Sequence, residues 1–171
     1  MALNGTLQAD SLYISLDSRP LQDEYHWALV TTSTSTVTPT LRHASNLAGP
    51  WRYEAKPFDP RQRMMLIALV RVGAVADHDA LERICGGGPE AGGVPAGDGE
   101  PSRRTGETFS CRTWLMDVLV ALDEKGVVRL PMPVEALEQA CRDFAAKFAE
   151  RAETGGGPTV VDSFEDAADT K

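Results

Sequence analysis

Three side chains in this sequence have the chemistry of a nucleophilic centre. Ser110 suits the N-cap of the helix that the run CRTWLMDVL begins, which puts Cys111 in the first turn. Unpaired backbone N–H groups and the positive end of the macrodipole favour a thiolate there. A cysteine so placed can attack a carbonyl, although a small buried residue at a helix start has the same signature. The stretch YHWALV at residues 25–30 carries the second group. Read as a strand, it puts His26 on one face with Ala28 and Val30, and Tyr25, Trp27 and Leu29 on the other. His43 follows 17 residues later, across an expected hairpin, where cross-strand neighbours come close enough for one imidazole to hydrogen-bond the other. Cys111, His26 and His43 thus supply a nucleophile, a base and a group to orient the base. Taken singly, each histidine reads as a satisfied core or surface residue. Asn46 is an alternative orienter, though regular alternation turns it to the other face, and His78, beside Asp77 and Asp79, reads as solvated.

The elements that must position these groups follow from periodicity and punctuation. Leu12, Ile14 and Leu16 alternate with smaller or polar residues and predict a strand ended by the turn-like DSRP. YHWALVTT is a second strand, STSTVTP at 33–39 a hairpin loop, Leu41 to Asn46 a third strand and Trp51 to Ala55 a fourth. Beyond Asp59-Pro60, Met64, Ile67, Ala68 and Arg71 on one face, with Met65, Leu69 and Val72 beside it, predict a buried helix ending near Gly73. Asp77 caps a short helix carrying Ala80, Leu81 and Ile84. The Gly- and Pro-rich residues 86–106 predict a mobile loop. A helix from Cys111 to Lys125 presents Trp114, Leu115, Val118, Leu119 and Leu122, with Gly126 as its C-cap. Val127 to Leu130 suits a short strand, and a last helix from Val134 to about Ala152 buries Leu137, Cys141, Phe144 and Phe148. The expectation is a single α+β domain over residues 1–152, an antiparallel sheet of about four to five strands packed on about three helices, followed by a disordered acidic tail at 153–171.

The 171 residues, 42% of them hydrophobic, are enough for one core without staples. A net charge of -8 with scattered basic residues excludes a phosphate backbone as the expected partner. No run reaches the roughly 18 apolar residues of a membrane span, and the first residues lack a signal-peptide pattern, so a cytoplasmic protein without an integral membrane segment is expected. Cys85, Cys111 and Cys141 are odd in number and widely spaced, which predicts free thiols. His26, His43 and Cys111 are also zinc-ligand types, but no fourth ligand suggests itself, so neither metal nor cofactor is expected. Trp27, Trp51, Tyr53 and Trp114 are the candidates to line an apolar substrate cleft, with the core as their first duty. Oligomeric state is not legible.

The order of a strand with YHWAL, a following strand with His43 and a helix opening with SCRTWLMDVL resembles the circularly permuted branch of the NlpC/P60 papain-like superfamily. Lecithin:retinol acyltransferase-like and H-rev107-like thiol acyltransferases and phospholipases belong to that branch. The resemblance covers residues 24 to 125. It implies a permuted papain-like fold, with His26 as general base, His43 as its orienter and Cys111 as nucleophile. Three positions depart from the pattern: no Gly follows the first strand, Ser110 stands where that branch has Asn, and Trp114 is the aromatic after the cysteine. YHWALV…HASN…WRYE also resembles a group of fungal proteins that share the His and Cys-Arg-Thr-Trp features. The implied activity is cysteine-dependent acyl transfer or hydrolysis of an ester, thioester or amide, with a small-molecule, acyl or peptide substrate. The alternative is an interaction module on the same fold with a vestigial site.

Overall fold

A computed structural model describes residues 2–20 and 24–164. Four strands follow one another as an antiparallel meander: β1 (Ser11–Ser18), β2 (Tyr25–Thr31), β3 (Thr40–Ser45) and β4 (Arg52–Pro57). β5 (Leu66–Ala74) pairs antiparallel with the other edge of β1, and β6 (Thr159–Val161) adds parallel to β5. The result is an open mixed sheet in the order β4-β3-β2-β1-β5-β6. Between β5 and β6 the chain forms α1 (His78–Gly86), α2 (Cys111–Glu124) and α3 (Val134–Glu153).

The alternation of β1 and β2 divides the core. Leu12, Ile14, Leu16, Trp27 and Leu29 join the apolar residues of all three helices in one cluster, whereas Tyr13, Ala28, Val30 and Leu41 form a second cluster with Phe58, Leu66, Leu69 and Val160. The helices therefore cover one face of the sheet. The other is covered by the N-terminal segment through Leu3 and Leu7, and Asn4 ties that segment to β6 by backbone bonds with Pro158 and Val160.

The α+β class and the three helices agree with the sequence reading. Other expectations are corrected. The helix expected over Met64 to Gly73 is strand β5: Leu66, Ile67, Leu69 and Val70 are buried on both faces between β1 and β6, and an apolar run bears no period that separates a buried strand from a buried helix. The expected strand at 127–130 is instead a turn after α2, opened by Gly126 at φ +68°, with Val127 and Val128 packed into the core. The tail expected to be disordered from 153 contains the end of α3 and β6, and Val160 and Val161 are buried; its residues 165–171 lie outside the described residues. The sheet is accordingly six-stranded and mixed, not antiparallel throughout. Residues 86–106 also dock: Tyr53 donates to the Ala96 carbonyl, Asp98 to that of Trp51, and Ser102 is buried with its hydroxyl 2.7 Å from Asp117 Oδ1. No helix among the described residues is long and apolar enough to cross a membrane.

Candidate active site

Cys111 is the first residue of α2, as its sequence context requires. Ser110 is extended at φ -155° and its Oγ accepts from the Thr113 N–H, which leaves the Cys111 and Arg112 N–H groups among the donors that a helix start cannot satisfy internally. Arg112 is held by Glu138 of α3 and Glu107 of the preceding segment, so α2 is anchored at the cysteine. His26 is the second residue of β2, opposite Asp17 of β1, and His43 lies in β3, opposite Glu54 of β4.

The two imidazoles meet. His26 Nε2 stands 2.8 Å from His43 Nδ1, and the ring planes are 81° apart. The third group is an arginine that sequence reasoning did not single out. Arg19 follows the end of β1 and its N–H bonds the Glu24 carbonyl across the turn. Its Nη2 lies 3.1 Å from His26 Nδ1 and 3.6 Å from Cys111 Sγ. Nδ1 and Sγ are therefore no farther apart than these two legs together. Among the described residues no hydrogen bond joins Cys111 directly to His26; the guanidinium bridges them.

A guanidinium only donates, so it assigns the protons of the whole row. His26 Nδ1 must accept from Arg19, which puts the proton of the neutral ring on Nε2, directed at His43 Nδ1. His43 then carries its own proton on Nε2, a buried atom without a hydrogen-bond partner among the described residues, 3.8 Å from the Glu54 carboxylate. The row runs Arg19, His26, His43, Glu54, with every ring nitrogen in a determined role.

Burial drives both rings toward the neutral form. It is the largest influence on His26, whose pKa falls from 6.5 to about 3, with further lowering from His43, Arg19, Arg63 and Lys56. It also dominates for His43, which falls to about 4 although Glu54 pulls the other way. Beneath them the Asp17 carboxylate is paired with Arg63.

The sign of the resulting pH dependence is fixed. As pH drops below 6.5 the unfolded chain takes up protons that the folded rings refuse, so stability present above 6.5 is lost progressively down to the folded values of about 3 and 4. Between pH 7 and pH 5 the cost is about 1–2 kcal/mol per ring. Urea denaturation at the two pH values should reveal this loss in the native chain and a smaller one in a His26→Gln, His43→Asn double variant. Burial raises the Asp17 carboxyl, which acts in the opposite direction in both proteins. Equal losses in the two proteins would contradict the neutral assignment.

The other candidates separate. Asn46 is exposed beyond the end of β3, and among the described residues no hydrogen bond joins it to the imidazole row. His78 pairs with Asp10 at 3.0 Å. Trp27 and Trp114 are buried, the former under Arg142 and the latter donating from Nε1 to the Cys85 carbonyl at 3.0 Å, so both are core and neither lines an open cleft. Tyr53 lies against Trp114 and bonds Arg42 and Glu82, and half-buried Trp51 meets Phe109, two residues before Cys111, edge to face. Cys85 and Cys141 are fully buried free thiols, and burial pushes Cys85 up to about 12 and Cys141 up as well. Among the described residues no three His, Cys, Asp or Glu side chains are grouped to hold a metal ion. A groove of about 990 Å³ lies against the second cluster, between the N-terminal segment and residues 57–62, and holds none of the site residues. Ser18, the residue before Arg19, lines an apolar pocket of about 280 Å³ together with Met64, Met65, Ile67 and the end of α3.

A family model described as a family of unknown function, DUF6914, matches residues 10–156, which include Arg19, His26, His43, Glu54 and Cys111. No curated protein and no solved structure matches the chain.

Proposed function

Since the chain belongs to the DUF6914 family, whose activity is not assigned, we propose a function from the site itself: cysteine-dependent hydrolysis or acyl transfer on an ester, thioester or amide. One observation carries this reading, the linkage of the Cys111 sulfur through Arg19 to a row of two neutral, hydrogen-bonded histidines. Cys111 attacks the acyl carbon, and the oxyanion is held by the N–H groups of Cys111 and Arg112 at the helix start, which have no hydrogen-bond partner among the described residues. The bond from the acyl carbon to the leaving group breaks, the leaving group takes its proton from solvent, and the acyl-thioester remains on Sγ. Once the sulfur is acylated and no longer draws the guanidinium, Arg19 releases His26 Nδ1, and that lone pair takes the proton of water or of another acceptor. The Nε2 proton of His26 can pass to His43 Nδ1, and that of His43 Nε2 faces Glu54, so a proton entering at one end of the row is relayed to the solvent side. The permuted papain-like relationship is proposed on the same grounds, by the order of the His strand, the second His strand and the Cys helix.

The test is a panel of chromogenic acyl esters, thioesters and anilides. Turnover of at least one class should stop when Cys111 is alkylated, and turnover that survives complete alkylation would overturn the reading. The interaction-module alternative draws on a different observation: the Cys111 residue is only 4% exposed, with a guanidinium between thiol and base. That alternative requires Cys111 to resist alkylation in the folded protein while binding of a partner is unchanged in Cys111→Ala.

A further inference from the structure

A thiol nucleophile needs a neighbouring positive charge, and in many Cys-His sites the imidazolium provides it. Here neither imidazole is charged near pH 7. The positive group in contact with the sulfur is Arg19, whose Nη2 is 3.6 Å from Sγ. Its guanidinium makes no ion pair with a carboxylate among the described residues. Four described acids of the surrounding elements are engaged elsewhere: Asp17 of β1 by Arg63, Glu54 of β4 by Lys56 with His43 nearby, and Glu107 and Glu138 by Arg112 beside the cysteine. Among the described residues Arg19 is thus a partly buried cation without a carboxylate partner, held against the two atoms that the proposed chemistry uses. A guanidinium keeps its protons at every accessible pH, so it cannot receive the thiol proton and can only stabilise what is left when that proton departs.

We propose that Arg19 is a catalytic residue of this site, the counter-cation that faces Cys111 Sγ and stabilises the thiolate from which it attacks, so that His26 serves as base toward water or the acyl acceptor and not as the sulfur's counter-ion. The inference rests on the thiol reading above. The thiol proton passes to solvent, and the sulfur keeps the electron pair with which it attacks. Arg19 keeps its charge throughout: before acylation it donates to both Sγ and His26 Nδ1, which directs His26 Nε2–H to His43, and after acylation it releases Nδ1 to the acyl acceptor. The roles separate: Arg19 governs acylation through the thiolate, and the histidine row governs the transfer of the acyl group away from it.

Iodoacetamide alkylation of Cys111, followed by peptide mass mapping from pH 5.5 to 9, needs no substrate and reads the thiolate directly. Arg19→Gln should move the half-maximal rate upward by at least about one pH unit, so that labelling at pH 6 slows roughly tenfold or more. Arg19→Lys should retain most of the native rate, and His26→Ala should leave the low-pH labelling in place. If Arg19→Gln fails to fold, Arg19→Lys and the rescue of Arg19→Ala by millimolar guanidinium carry the test. An Arg19→Gln profile that superimposes on the native one, or a His26→Ala shift as large as that of Arg19→Gln, overturns the proposal, as does failure of both Lys and guanidinium to restore labelling in folded variants. Those outcomes leave the acyl-transfer reading standing if an acyl group still forms on Cys111. A shifted profile without any acyl group on Cys111 removes that reading and leaves the ion pair.

Discussion

Cys111→Ala should lower kcat/KM on a responsive acyl substrate by at least about 10³-fold, because the whole covalent route goes with the sulfur. His26→Ala should cost nearly as much, since His26 is the only imidazole bonded to Arg19 beside the sulfur and the thioester loses its base with it. His43→Asn should retain a measurable fraction of activity: His26 keeps its Arg19 contact, and an amide oxygen can still accept from Nε2. Its loss should fall mainly in kcat. Equal losses from His26→Ala and His43→Asn would leave base and orienter undistinguished, and full activity in Cys111→Ala would remove the nucleophile altogether.

Deleting residues 155–171 should destabilise the domain severely. The deletion takes away β6, whose Thr159, Val160 and Val161 pair with Ala68, Leu69 and Val70, and with it the anchor of the N-terminal segment at Asn4. Burial of Val160 and Val161 alone corresponds to about 3–6 kcal/mol, and for a domain of this size the melting temperature should drop by roughly 10–20 °C. The loss should be reproduced in part by Val160→Asp. A deletion that melts within a few degrees of the full chain would contradict the docking of β6.

That second expectation reverses what the sequence alone suggests, and the reason is physical. Thr159 to Val161 is a three-residue strand set between GGGP and acidic residues, too short for any period to register, and its burial depends on the neighbour β5. β5 was itself obscured, because Leu66 to Val72 is apolar on both faces and fits a helical spacing as well as a central strand. By contrast, Ser110, Cys111 and the TWLMDVL run carry cap and periodicity together, and the α2 boundaries followed directly. The proximity of His26 and His43 was also legible, since a hairpin brings its strands together wherever the loop lies. Arg19 was not. It sits in a turn, where charged residues are common and carry no period, and its role is visible only once the end of β1, the start of β2 and the start of α2 converge. Glu54, half-buried on an outer strand, becomes part of the row only through its register with His43. Trp27 and Trp114 were ambiguous between core and cleft, and helix packing on that face of the sheet decides for the core.

The most direct test of a thiol acyl centre at Cys111 is to mix the native protein and His26→Ala with p-nitrophenyl acetate and locate the acetyl group by intact mass and peptide mapping. The account predicts one acetyl group per chain on Cys111 in His26→Ala, where the thiolate still forms but the thioester has lost its base, and release of p-nitrophenol beyond one equivalent with little standing adduct in the native protein. Turnover by the native protein with no acetyl group on Cys111 in either chain, or with the adduct on another residue, would contradict it.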